Sequence, residues 1–97
     1  MPPDQTDISI RHNSAQSRYE TEVDGHLSCV EYSLDGNRMT LTHTFVPPEL
    51  RGRGIAEVLV RTVLDSARAA GRRVVPQCSY VARFIAKHPE YQPLVDA

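Results

Sequence analysis

Apolar residues recur every second position through the first half of the chain and at helical spacing through much of the second. Ile8, Ile10 and His12 alternate with polar neighbours and predict a short first strand. Residues 13–17 form a polar connection, and 18–23 predict a second strand. Asp24-Gly25 follows directly, a strong two-residue hairpin signal because both turn positions need positive φ. Residues 26–34 predict the returning strand. Asp35-Gly36-Asn37 predicts a second turn of the same kind, and 38–46 the next strand. The first half therefore reads as an antiparallel meander.

The pattern changes after Val46. Pro47-Pro48 removes two backbone donors and stops the strand. Residues 49–54 form a loop with two glycines. From Ile55 the apolar stripe is helical: Ile55, Leu59, Val63 and Ala67 fall on one line, with Val58 and Leu64 beside it. Gly71 stands where a left-handed C-terminal cap belongs, and Arg68 suits the helix dipole. Val74-Val75 centres a short buried strand over 72–78. Ser79 is placed to cap a second helix, on which Val81, Phe84, Ile85 and His88 share a face. Pro89 ends or kinks that helix, and Pro93-Leu94-Val95 predicts a short tail packed back on the body. A strand, a helix and a strand joined this way lie parallel in one sheet. The expected fold class is α+β with a mixed sheet: a meander followed by a strand–helix–strand–helix unit.

Length and charge narrow the function. Ninety-seven residues support one small domain, expected over 8–97 after a polar, disordered lead-in at 1–7. That lead-in lacks the charged and apolar regions of a signal peptide. No apolar run approaches membrane-span length, so no membrane partner is expected. The formal net charge is -1, which argues against a nucleic-acid partner. Ten of the eleven basic residues are Arg, clustered at Arg51 and Arg53 and at Arg72 and Arg73, which suits a small anionic ligand. The two cysteines, Cys29 and Cys78, have no metal or disulfide spacing, so a reduced, cytoplasmic protein without a metal is expected.

The chemistry centres on Arg51-Gly52-Arg53-Gly54-Ile55-Ala56. A strand ends, a glycine-rich loop follows, and a helix begins. The first N–H groups of a helix have no internal partner and carry the positive end of its dipole, so they favour an anion. Glycine lets a phosphate approach the backbone closely, and arginine adds charge and donors. The Walker ending Gly-Lys-Ser/Thr is absent, and the chain is too short for a doubly wound dinucleotide fold.

Arg51-x-x-Gly54-x-Ala56 resembles the Gln/Arg-x-x-Gly-x-Gly/Ala signature of the GNAT superfamily of N-acetyltransferases. Residues 43–56, then 74–81, then His88-Pro89-Glu90-Tyr91, look like its small single-domain branch. The resemblance implies a truncated GNAT-like fold with acetyl-CoA as co-substrate. Strand 38–46 would splay from strand 72–78. The pantetheine arm would bond to backbone near Phe45 and Val46, and the N–H groups of Arg51, Gly52, Arg53, Gly54, Ile55 and Ala56 would hold the pyrophosphate. The thioester would lie near Cys78. Larger members carry extra helices after the first strand and extra C-terminal strands that shape the acceptor pocket. A hairpin stands in place of those helices here.

Three residues carry candidate catalysis, each against a plainer role. Cys78 is either a nucleophile toward the thioester or a small apolar residue at a strand end. His43 is either a general base for the acceptor amine or a partly buried structural histidine, since simple alternation sets it on the face of Met39, Leu41 and Phe45. Tyr80 either protonates the departing thiolate, a role tyrosine often fills in that superfamily, or bonds to backbone. The 88–91 segment reads as a kinked helix end with Tyr91 on the core, and Cys29 as core or pairing surface. The expected function is acetyl transfer from acetyl-CoA to an unspecified amine, by a monomer or weak homodimer. The alternative is a non-catalytic module that binds or senses acyl-CoA.

Overall fold

A computed structural model describes residues 8–96, so the lead-in expected at 1–7 lies outside the described residues. Both residues of the first turn, Asp24 and Gly25, take positive φ, 52° and 78°, as the hairpin reading requires. The turn joins β2 (Arg18–Val23) to β3 (His26–Asp35). The second turn differs from its expected form. Only Gly36 has positive φ, 61°, while Asn37 uses its side chain to donate to the Gly71 carbonyl, 2.8 Å away. It leads into β4 (Arg38–Phe45). The first strand, β1, spans Arg11–Asn13 rather than 8–12, because its register with β2 pairs Arg11 with Glu20 and Asn13 with Arg18.

Helix α1 (Ile55–Ala69) buries Ile55, Leu59, Val60, Val63, Leu64 and Ala67. Val60 takes a fully buried place, whereas Val58 is only half-buried. The helix ends as its glycine predicts. Gly71 has φ of 70°, its N–H bonds to the Arg68 carbonyl, and the Arg72 N–H reaches Ala67. This pair of bonds satisfies two carbonyls that a helix end otherwise leaves open. Strand β5 (Arg73–Pro76) is shorter than the expected 72–78 and leads into α2 (Ser79–Lys87). Cys78, not Ser79, occupies the N-cap position. The tail returns as expected: Val95 bridges Val74, the Asp96 N–H donates to the Val74 carbonyl, and Arg73 donates to the carbonyls of Pro93 and Val95.

The sheet order is β1-β2-β3-β4-β5, antiparallel except for the parallel β4–β5 pair. One core joins Tyr19, Val30, Tyr32, Met39, Leu41 and Val74 of the sheet to the apolar faces of α1 and α2. Each fully buried Val or Leu contributes about 1.5–3 kcal/mol relative to exposure. Both helices pack on this one face. The opposite face carries Arg18, Glu20, Leu27, Cys29, Glu31, His43 and Phe45, and no helix or strand among the described residues covers it.

One irregularity sets the phase of β4. Its register with β3 steps from Glu31↔His43 to Tyr32↔Leu41, which leaves Thr42 without a partner. Paired residues share a face, and one extra residue reverses the alternation beyond it. Leu41 and Thr44 therefore face the helices, while His43 and Phe45 face away. This corrects the alternation that placed His43 and Phe45 with Met39 and Leu41. His43 is exposed, and Phe45 is 43% exposed.

Candidate active site

The parallel pairing runs from Arg38↔Arg73 to Leu41↔Pro76, and the Cys78 N–H makes one further bond to the Leu41 carbonyl at 2.9 Å. Beyond it, β5 has turned into α2, and among the described residues no strand pairs with 42–45 of β4 on that side. The two strands thus part at their C-terminal ends, where the chain of β4 runs on to the phosphate-type loop.

Pro47 starts a short 3-10 turn over Pro48–Leu50, whose Leu50 is buried and anchors the loop. The Arg51 N–H bonds back to the Pro48 carbonyl at 3.3 Å, so it closes that turn instead of facing a ligand. Gly52 and Gly54 follow with φ of 86° and 78°, and Gly54 is the N-cap of α1. The first backbone bond of α1 runs from the Val58 N–H to the Gly54 carbonyl. The preceding amides of Ile55, Ala56 and Glu57 belong to the helix turn that has no internal acceptors. The same three residues line a cleft of about 220 Å³, together with Val46, Leu50, Arg51, Gly52, Gly54 and Tyr80.

The two loop arginines behave differently. Arg51 lines the cleft and donates from Nε to the Val46 carbonyl, 3.1 Å away. Arg53 lies outside the lining and pairs with Asp24 of the first hairpin at 2.8 Å. Sequence proximity suggested two arginines at one anion, whereas the alternating backbone of the loop sends them apart. Phe45, expected to flank a ligand through its backbone, holds its ring on the bare sheet face.

Cys78 stands where β5 gives way to α2. Its Sγ lies 3.5 Å from Thr44 Oγ1. Burial pushes the thiol up, but the Thr44 hydroxyl and the amides of Val81 and Tyr80 outweigh it, and the net shift is downward. No formed side-chain cap bond joins the thiol to those amides, yet the start of the helix favours its thiolate. Tyr80, two residues on, lines the cleft. Burial and then Glu57 push its phenol up, Arg83 opposes them, and the net shift is upward, so the phenol keeps its proton at neutral pH.

Of the three candidate catalytic residues, Cys78 and Tyr80 therefore share the start of α2, and His43 lies on the other face of the sheet. Thr44 was absent from the sequence reading. Thr40, Thr42 and Thr44 alternate with apolar residues like any solvent-facing set, and nothing local marks the bulge that turns Thr44 inward. Glu57 was also missed, because an acid in a first helical turn has a sufficient explanation in the helix dipole.

Fold and cleft together define a small α+β domain of acyltransferase type: a mixed sheet whose parallel pair parts beside a glycine-rich helix start. Residues 18–94 match the GCN5-related N-acetyl-transferase family, and the chain belongs to that family. Protein NATD1 of Bos taurus is 29% identical over 85 residues, covering 84% of this chain and 75% of the relative. NATD1 of Mus musculus is 27% identical over the same length, covering 84% and 77%. A GCN5-like protein from Staphylococcus aureus, solved by NMR, superposes with a TM-score of 0.73 over 92% of this chain and 88% of that one. At 24% identity that likeness speaks for the fold.

Proposed function

We propose that this protein transfers an acetyl group from acetyl-CoA to an amine, with Cys78 as the first acceptor. The observation that carries the proposal is a thiol with a lowered pKa beside Thr44, at the point where β4 and β5 part. The amides at the start of α1, with Arg51, would bind the pyrophosphate, and the open edge of β4 would bind the pantetheine arm. The Cys78 thiolate attacks the thioester carbonyl, a new S–C bond forms, and the bond to the coenzyme sulfur breaks. Tyr80 supplies a proton to the departing thiolate. An amine then attacks the acetyl-cysteine, gives its proton to the Tyr80 phenolate, regenerates the Cys78 thiolate and leaves as the amide. The free thiols of Cys29 and Cys78 suit a reducing, cytoplasmic setting, in which an acyl-accepting thiol stays available.

Intact-mass and peptide spectrometry after incubation with acetyl-CoA test this directly. One acetyl group on Cys78, and loss of thiol release in Cys78→Ala, are expected. Unchanged turnover in that variant would replace the two-step route by direct transfer to the amine. The hairpin of β2 and β3 supports a second reading, since it stands where larger members of the superfamily carry the helices that shape the acceptor pocket. In that reading the domain binds acyl-CoA without turnover. Tight binding with neither Cys78 acetylation nor thiol release over an amine and peptide panel would select it.

A further inference from the structure

The sheet face turned away from the helices is ordered in rows across the strands. Arg11, Glu20, Cys29 and Phe45 pair along one row, and Arg18, Glu31 and His43 along the next. Glu22 pairs with Leu27 on the other side of the first row. Residues paired across antiparallel strands share a face, so Leu27, Cys29 and Phe45 stand together as one apolar group. Leu27 is 38% exposed, close to the value for Phe45.

Charge on this face is uneven. Arg11 and Arg18 are both committed to the buried Glu20 carboxylate. Arg18 lies opposite Glu31 but turns its Nε to Glu20, 2.6 Å away. Glu22 and Glu31 make no salt bridge among the described residues, and Glu22 is exposed. The charge left open beside the apolar group is therefore negative. The face is also continuous with the reaction centre. Phe45 follows Thr44 directly, and the two point to opposite sides of β4. Thr44 touches the Cys78 sulfur, and the edge of β4 beside them is where β4 and β5 part.

We infer that the acetyl acceptor is a lysine of a cationic, partly apolar polypeptide that docks on this face. The inference rests on the acetyl-transfer reading given above and names its acceptor. Apolar side chains of the partner cover Leu27 and Phe45, and its cations face Glu22 and Glu31. Its lysine passes the open edge of β4 toward Cys78. The long flexible stem of lysine suits a passage from one side of a sheet to the other. The ammonium first releases one proton to solvent. The amine then takes the acetyl group by the route above: its N–C bond forms, the S–C bond to Cys78 breaks, and the second proton passes to Tyr80. Apolar burial supplies affinity, and complementary charge supplies steering and register.

Acetyl-CoA-dependent thiol release with a pair of probes tests the inference. One probe is an N-acetylated peptide with a single lysine flanked by arginine and leucine. The other is butylamine, which carries a similar amine without the flanks. The peptide should show a kcat/KM about tenfold higher or more. Replacing its arginines by glutamates should remove most of that preference. Leu27→Ser/Glu22→Gln should do the same through KM, with kcat and butylamine turnover as in the unaltered protein. Equal kcat/KM for peptide and butylamine would overturn the inference and leave acetyl transfer standing. So would a preference that survives in the double variant. Acetyl-CoA binding with transfer to neither probe would overturn it in favour of the non-catalytic module. Failure to bind acetyl-CoA would remove the acetyl-transfer reading and this inference together.

Discussion

Cys78 and Thr44 meet at 3.5 Å because β4 changes phase at Thr42. In an unbroken alternation Thr44 would face solvent and His43 would face the helices. The contact makes the thiol more acidic, since a hydroxyl beside sulfur stabilises the thiolate more than the thiol. Thr44→Val should therefore move the Cys78 pKa upward. Iodoacetamide alkylation of Cys78 followed against pH should be slower than in the parent near neutrality and equal to it well above both pKa values. His43→Ala, on the opposite face, should leave both the alkylation profile and acetyl-CoA-dependent thiol release unchanged. A large loss of turnover in His43→Ala would return that residue to the chemistry.

Glu20 predicts how stability responds to acid. Its carboxylate is buried under Arg11 and Arg18, with Arg18 Nε at 2.6 Å and Asn13 Nδ2 at 3.3 Å. Arg11 and then Arg18 lower its pKa from 4.5 to about 2. The unfolded chain takes up this proton at a higher pH than the fold does. The contribution of Glu20 is therefore complete above pH 4.5 and is lost as pH falls toward 2. Glu20→Gln should lose about 1–3 kcal/mol at pH 7 and show a flatter decline on acidification, read by urea denaturation.

The loop arginines should separate in a binding experiment. Arg51→Ala removes a cation that lines the cleft and should weaken coenzyme A binding about tenfold. Arg53→Ala breaks an exposed pair with Asp24, and surface pairs contribute only about 0–1 kcal/mol. Its effect on affinity should stay under about threefold. Equal losses in the two variants would show that the phosphate is held on the hairpin side of the loop.

Tyr91 tests the structural account of the 88–91 segment. Its hydroxyl donates to Asp65 Oδ1 at 2.8 Å, and the Arg68 guanidinium lies 4.9 Å from the ring centre. These contacts tie the 3-10 segment Pro89–Leu94, which follows α2, to α1. Tyr91→Phe should cost about 1–2 kcal/mol of stability by thermal or urea unfolding. Coenzyme A affinity in the folded variant should match the parent.

Much of the framework is local and was legible. Asp24-Gly25 needs two positive φ values, Gly71 needs one, and the stripe from Ile55 to Ala67 can bury only one side of a helix. These demands act within a few residues of each other, so composition and spacing carry them. The glycine-rich helix start was legible for the same reason, and the order of the flanking segments carried the family resemblance.

The rest depended on partners distant in sequence. A bulge exists only where two strands meet, so Thr42 bears no mark of it, yet it exchanges Thr44 for His43 on the helix face. Asp24 captures Arg53 across 29 positions, which no local pattern announces. Arg83 and Lys87 of α2 line one cleft with Glu57 of α1, which lies more than twenty positions earlier in the chain. Sequence alone determined the elements, the turn chemistry and the place where an anion is favoured, because those follow from backbone geometry and periodicity. Tertiary structure decided which side chains face that place, because strand phase and ion pairing are settled only when the strands and helices meet.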